Sequence, residues 1–241
     1  NELSENGMIN DSLQATKLGL KSIPESAEQL IIERDLRLLE NYNTKYHIAL
    51  ISSKKSLEII KNAKERGLKF TVGVSINNLS LNENDIGDFK TFLKLSPPLR
   101  SEEDRLALID GVKQGLINVI VSDHKPEDEE SKRLTFQQAT TGASGIESLL
   151  SLGLELVHNG SCDLNTLINN LTSSPAKILG IRNGTLSVGS EADIAVFDLD
   201  KPWVFKKENI KSKSKNTAIE DRKLQGKVEK TFINGDLGFS E

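Results

Sequence analysis

Apolar positions in the first half of the chain switch between helical and strand periods. Residues 12–21 and 25–40 read as helices, with Pro24 placed to open the second and Ala27, Leu30, Ile31 and Leu38 at helical spacing. The short apolar run Tyr46-His47-Ile48-Ala49-Leu50-Ile51 predicts a buried strand. Residues 55–66 predict an amphipathic helix with Leu57, Ile60 and Ala63 on one face and Gly67 as its C-terminal stop. Residues 68–74 predict a strand, 102–114 a helix carrying Leu106, Ile109 and Val112 on one face, and 118–121 another strand. Strands alternating with helices of about a dozen residues imply βαβ units and a parallel sheet.

Two more helices are expected over 145–159 and 163–180, after which the pattern changes. Residues 184–189 read as a tight turn. The segments 193–198 and 227–233 alternate like strands, and Asn234-Gly235 is a strong hairpin-turn signal. The organisation expected is α/β: residues 1–182 as part of a TIM (β/α)8 barrel, then residues 183–241 as a small β unit. The units before position 122 fill only about half of such a barrel, and half a barrel leaves open strand edges. The expectation is therefore the C-terminal half of a longer protein, and a chain starting Asn1-Glu2-Leu3 with its first Met at position 8 agrees. A smaller independent α/β sheet is the alternative.

Composition removes several function classes. A net charge of -4 gives no electrostatic case for nucleic acid, and the one basic run, 211–215, reads as a solvated loop. A single cysteine, Cys162, excludes an internal disulfide and a Cys-cluster zinc site. No apolar stretch reaches the ~20 residues of a membrane span, and no signal peptide is visible. A cytoplasmic protein is expected, with no membrane partner. No Ser-His-Asp arrangement, P-loop or dinucleotide fingerprint occurs. His158 reads as a partner of a helix C-terminus or a surface residue. Trp203 reads as a buried anchor of the β unit. Lys94 and Arg100 flank Pro97-Pro98 and read as exposed loop charges that could meet an anion.

The candidate chemistry centres on Asp123. The run Asn118-Val119-Ile120-Val121 leads straight into Asp123-His124, which puts a carboxylate at the C-terminal end of a buried parallel strand. Barrels carry catalytic and metal-binding groups there. A helix-capping carboxylate is the plainer reading. Residues 142–147 form a small-residue loop opening a helix, able to offer backbone N–H groups to an anion or to serve as a simple turn.

The stretch KLSPPLRSEEDRLALIDGVKQGLINVIVSDHKP resembles the dihydroorotases of the amidohydrolase superfamily. So do Gly7-Met8-Ile9-Asn10 with the segments that follow it, GTLSVGSEADIAVFD, and SKSKNTAIEDRKLQGKVEKTFINGD, in that order and spacing. The resemblance runs almost end to end. It implies a barrel followed by strands of a β-sandwich built from both chain ends. It also implies hydrolysis of a cyclic amide, interconverting dihydroorotate and carbamoyl aspartate in pyrimidine synthesis. One or two zinc ions would activate the attacking water. Asp123 matches the family's eighth-strand Asp, a metal ligand that shuttles a proton to the leaving nitrogen. His124 would pack or cap rather than bind metal. Gly142 and Ala143 match a loop that touches substrate through its main chain.

Other working positions depart from the family. Leu50 stands where the fifth strand presents a ligand His, and Leu has no electron pair to give. His47 lies three residues earlier, where strand alternation points it to the opposite face. Asn78 holds the sixth-strand ligand position, and zinc prefers nitrogen or sulfur. Ser96 replaces a substrate-holding Asn. Glu127 replaces the second His of the family's Asp-His-Ala-Pro-His box and would repel an anionic substrate. The first-strand His pair and the fourth-strand bridging residue would lie upstream. These departures put zinc binding in doubt and favour a chain that kept its packing while losing hydrolysis, as a fold can. Such a protein would serve as a structural subunit, in an oligomer, with aspartate transcarbamoylase. The alternative is an active enzyme with a rearranged site, using an upstream His pair and Asp123 on dihydroorotate or another cyclic amide, allantoin- or hydantoin-like.

Overall fold

The computed structural model describes residues 2–42 and 44–241; Asn1 and Asn43 lie outside the described residues. Two short strands, β1 (Ile9–Asn10) and β2 (Ser22–Ile23), pair in parallel around helix α1 (Leu13–Leu18). A second parallel sheet has the order β3 (His47–Ile51), β4 (Thr71–Ser75), β5 (Val119–Val121). Helix α2 (Ser26–Leu39) precedes it, α3 (Lys54–Glu65) joins β3 to β4, and α4 (Ile76–Ser80) and α5 (Glu102–Lys113) join β4 to β5. Helices α6 (Glu129–Lys132), α7 (Leu149–His158), α8 (Leu164–Leu171) and α9 (Ser173–Leu179) follow. An antiparallel sheet of β6 (Ile194–Val204), β7 (Lys223–Ile233) and β8 (Asp236–Ser240) closes the chain. Among the described residues, no helix is long and apolar enough to cross a membrane.

Local chemistry explains the helix ends. Ser53 and Ser101 cap α3 and α5 by accepting from the backbone N–H of Ser56 and Asp104, and Asp104 returns a bond to complete a capping box. The expected 163–180 helix is broken at Thr172 (φ -128°, ψ -79°). In one continuous helix Pro175 would withhold a bond from the Leu171 carbonyl; the break moves it into a first turn, where no donor is needed. The helix expected from 145 begins only at Leu149. The Asn-Gly signal is realised: Asn234 (φ 51°) and Gly235 (φ 88°) turn β7 into β8.

The core is aliphatic, with Ile51, Ile60, Val72, Val74, Ile76, Leu79, Val112 and Leu152 among its deepest members. Two helices depart from their apolar spacing to different degrees. In α5, Ile109 and Val112 are buried as expected, joined by Leu108, and Leu106 is exposed. In α2, Leu30, Ile31 and Leu38 face outward while Ala27, Ile32 and Leu36 are buried. Polar anchors set the α2 face. Glu28 accepts from Ser52 N at 3.0 and 3.1 Å and from Ser52 Oγ at 2.5 Å, and Asp35 accepts from the Tyr46 hydroxyl at 2.8 Å.

Arg100 and Lys94, expected as exposed loop charges, are both buried, at 3% and 8% exposure. Arg100 donates through Nε to Ser52 Oγ (3.1 Å) and through Nη1 to Asn10 Oδ1 (2.8 Å) and the Ile23 carbonyl (2.6 Å). Burial pulls its pKa below the ordinary value; the nearby carboxylates, Glu28 foremost, push it back up. The guanidinium thus ties the C-terminal ends of β1, β2 and β3 together. Lys94 donates to the carbonyls of Gln137 and Ala139 at 3.0 and 2.8 Å.

The antiparallel sheet rests on α7 through Gly226 (φ 94°), whose carbonyl accepts from Ser151 Oγ (2.7 Å) and Trp203 Nε1 (3.0 Å). A Cβ at Gly226 would lie 2.3 Å from Leu154 Cδ1, so only glycine permits this approach. Trp203 is half-buried and anchors the sheet as expected.

Replacing Arg100 with Met leaves the Ser52 hydroxyl, the Asn10 amide oxygen and the Ile23 carbonyl without their donor. We expect a loss of about 1–3 kcal/mol in urea unfolding of the full-length protein, because buried acceptors are left unsatisfied. A loss below about 1 kcal/mol would mean that the guanidinium does not bind the strand ends together.

Candidate functional site

The candidate positions gather where β3, β4 and β5 end. The ladder pairs Ile51 with Val74 and Ser75 with Val121, so Leu50, inside the end of β3, lies near Asn78 and Asp123, which come just after β4 and β5, at the C-terminal edge of the sheet. His47 is at the other end. It is the first residue of β3 and bonds Thr71 Oγ1, on the first residue of β4, at 2.8 Å. The register shifts between Ile48 and Ile51, both buried, so strict alternation does not hold here. Distance along the strand, rather than its face, separates His47 from the site.

Asp123 has φ 46°, a left-handed conformation that an L-residue seldom adopts and that Asp tolerates better than most. Its side chain is 8% exposed, and Oδ1 lies 3.1 Å from Lys125 Nζ. Burial raises its carboxyl above the ordinary range, and Lys125 pulls it back down. The same ammonium donates to the Ser96 carbonyl at 3.0 Å. Asp123 and Ser96 thus share one lysine. Nothing in the composition of 123–127 singled out that lysine; only the turn made at Asp123 brings it back.

His124 Nδ1 accepts from the N–H groups of Gly145 (3.2 Å) and Ile146 (3.4 Å), the capping role expected of it. The 142–146 loop uses most of its main chain internally. Gly142 N donates to the Lys94 carbonyl (2.9 Å) and Ser144 N to the Asn216 carbonyl (2.7 Å), while the Ala143 carbonyl accepts from Lys125 N (2.9 Å). The Gly142 carbonyl accepts from Lys132 Nζ (2.9 Å) and Asn216 Nδ2 (3.1 Å). Few of these N–H groups remain to receive an anion.

Asn216 is the hub that the sequence did not reveal. Its Oδ1 accepts from Glu127 N at 3.1 Å and also bonds the hydroxyls of Ser144 and Ser214. Glu127 lines a cleft of about 600 Å³ with Phe92, Asp128, Lys207, Lys213 and Lys215. The basic run 211–215 forms one wall of this cleft. Its ammonium-bearing side chains are exposed, but its backbone is pinned by the Glu147 carboxylate, which accepts from Lys211 N and Ser212 N.

The donor set does not fit a zinc centre. Leu50 offers no lone pair. Asn78 donates its Nδ2 to the Pro98 carbonyl at 3.0 Å and has only its amide oxygen to offer a metal, a poor ligand for zinc. The neighbouring Asn77 Nδ2 is buried without a partner, and an amide N–H repels a cation. Asp123 already holds a cation. Among the described residues, no group of three or more His, Cys, Asp or Glu side chains is gathered to hold a metal.

The chain matches the Amidohydrolase family model over residues 3–238 and belongs to that family. Within it, the chain is 42% identical to the dihydroorotase of Ehrlichia chaffeensis over 97% of its own length and 52% of that protein. It is 38% identical to the dihydroorotase of Thermoanaerobacter sp. over 99% and 56%. The chain spans about half the length of the curated relatives it matches. The structure superposes on the L-hydantoinase (dihydropyrimidinase) of Arthrobacter aurescens with a TM-score of 0.85 at 27% identity, covering 98% of this chain and 52% of that one. The dihydropyrimidinase of Brevibacillus agri gives 0.85 at 23%, a likeness of fold.

Lys132 generates a pH prediction. It is 1% exposed, and its Nζ donates to the carbonyls of Thr140 (2.8 Å) and Gly142. Desolvation lowers its pKa from 10.5 to about 8, with Glu127 raising it and Lys94 lowering it further. The folded protein therefore carries the penalty of a buried charge below pH 8, and that penalty fades as pH rises towards 10.5. Stability from this group should rise across that window, by about 3 kcal/mol at full relief. Urea unfolding at about pH 7.5 and about pH 10 should show a smaller gain in Lys132→Met than in wild type; an equal gain would place the titration elsewhere.

Proposed function

We propose that the parent protein is a dihydroorotase-like cyclic amidohydrolase of pyrimidine synthesis in which hydrolysis is lost or strongly reduced. The observation that carries this reading is the state of Asp123. The one carboxylate matching the family's proton shuttle is engaged by Lys125, while Leu50 and Asn78 stand at the ligand positions beside it. A general base must be free to reach its water, and a metal-activated hydroxide needs ligands to hold its metal. Glu127 adds a negative group where an anionic substrate would approach.

On this reading, residues 1–182 are the second half of a barrel. Support comes from β3 and β5, each paired on one side only among the described residues. Residues 183–241 are one part of a sandwich that the other chain end completes. A protein that keeps its packing without turnover has a structural use, and we propose aspartate transcarbamoylase as its oligomeric partner. The second reading, an active hydrolase of a hydantoin-like ring, draws on the likeness to the Arthrobacter aurescens L-hydantoinase.

The test is turnover of dihydroorotate, carbamoyl aspartate and hydantoin by the full-length protein with added zinc. Turnover at the level of the uncatalysed control is expected, together with a mixed species on sedimentation with aspartate transcarbamoylase. Zinc-supported turnover of any of the three that disappears in Asp123→Ala would overturn the loss of hydrolysis. Turnover of hydantoin alone would select the second reading. Independent sedimentation of the two proteins would overturn the partnership.

A further inference from the structure

We propose that the cleft between residues 126–129 and 207–216 binds a short acidic peptide as a zwitterion, with the peptide's ammonium group on Glu127 and its carboxylates on Lys207 and Lys213. The basic run 211–215 is then a recognition wall rather than a plain solvated loop.

Three observations carry it. First, the cleft is lined by charges of both signs, and the unengaged ones match such a ligand. Asp128 Oδ1 accepts from Ser131 N at 2.8 Å, Glu129 accepts from Arg133 Nη2 at 2.6 Å, and Lys215 Nζ donates to the Ile210 carbonyl. Among the described residues, no hydrogen bond or ion pair engages the carboxylate of Glu127 or the ammonium groups of Lys207 and Lys213. One free carboxylate and two free ammonium groups are the complement of one ammonium and two carboxylates. Second, both walls are held by their main chains. Asn216 Oδ1 accepts from Glu127 N at 3.1 Å, Ser214 Oγ donates to the Glu127 carbonyl at 2.5 Å, and the Glu147 carboxylate holds the Lys211 and Ser212 amides at 2.8 and 3.0 Å. A site built before its ligand arrives loses less binding energy to ordering. Third, the size suits a peptide of about two or three residues. The cleft holds about 600 Å³, within the ~300–1,000 Å³ of small-ligand sites, and Phe92 and Pro126 offer apolar surface to the peptide's carbon chain.

The probe is the dipeptide Ala-Glu, which carries one ammonium and two carboxylates, titrated into the full-length protein by calorimetry. Two controls each remove one charge: N-acetyl-Ala-Glu lacks the ammonium, and Ala-Gln lacks one carboxylate. Wild type should bind Ala-Glu at millimolar concentration or below, and each control about fivefold or more weakly, the scale of one partly sheltered charged contact. In Glu127→Gln, acetylation of the peptide should no longer matter. In Lys207→Met combined with Lys213→Met, Ala-Glu and Ala-Gln should bind alike. Thermal unfolding confirms that each variant is folded, and the comparison of the three peptides on wild type needs no variant at all. No binding of Ala-Glu at several millimolar overturns the proposal. Equal affinity for the free and acetylated peptides overturns it as well, since the cleft would then be a simple anion patch. So does an effect of acetylation that persists in folded Glu127→Gln, because the ammonium would then sit elsewhere. The readout is binding, so turnover by the parent protein would refute the loss of hydrolysis and leave this cleft to be decided by the titrations.

Discussion

A buried guanidinium at the strand ends is the constraint on which the rest of the structure depends. β1–β2 and β3–β4–β5 are separate ladders among the described residues, so backbone hydrogen bonds do not fix one relative to the other. Arg100 supplies the link, with one nitrogen on Ser52 at the end of β3 and another shared by Asn10 and Ile23 at the ends of β1 and β2. Arginine suits the place because its planar fork carries several donors in fixed directions and stays charged when buried. Glu28 then becomes necessary: it answers the charge and caps the Ser52 and Ser53 amides. That requirement turns α2 until Leu30, Ile31 and Leu38 face outward. Together with the bond from Tyr46 to Asp35, polar contacts thus override the apolar spacing of a whole helix.

The same device recurs on the far side of the site. Lys94 and Lys132 are both buried, and both spend their ammonium groups on main-chain carbonyls between Gln137 and Gly142. Asn216 adds its amide to the Gly142 carbonyl and thereby fastens the β6–β7 connection to the strand-end loops. A loop without regular hydrogen bonds must satisfy its buried carbonyls somehow. Here lysine and asparagine side chains do what a helix or sheet would do elsewhere. The cost is desolvation, visible in the lowered pKa of both lysines.

This division explains what could be read from the sequence. Elements built on apolar period and turn chemistry were legible: 118–121 against β5 (Val119–Val121) and the Asn-Gly turn. The position of Asp123 at a strand end was legible too, because a buried strand has a direction. Features built on buried polar contacts were not. Lys94, Arg100 and Lys132 sit in charged stretches that look like surface, and the contacts that bury them are remote along the chain. Arg100 meets Asn10 across ninety positions. The left-handed turn at Asp123 has no glycine to announce it, so the return of Lys125 was hidden as well. A short helix, α4 (Ile76–Ser80), was missed because five residues cannot establish a period.

The turn at Asp123 also bears on how the fold balances a buried charge. In an extended chain, residues two apart point to the same face ~7 Å from one another. The left-handed turn, which costs an L-residue about 1–2 kcal/mol, shortens that path. It lets the ammonium of Lys125 reach both the carboxylate and the Ser96 carbonyl. A metal at such a site would have two separable effects: it would activate water, and it would neutralise a carboxylate that the core has taken out of solvent. Leu50, with no electron pair to give, cannot support the first effect. Without any cation Asp123 would be an uncompensated charge under the strand ends, the kind of defect that destabilises a fold by several kcal/mol. A lysine two residues away answers the second need without restoring the first, since an ammonium carries no activated water. Charge balance at Asp123 is therefore met within the chain, by an ion pair between residues two apart.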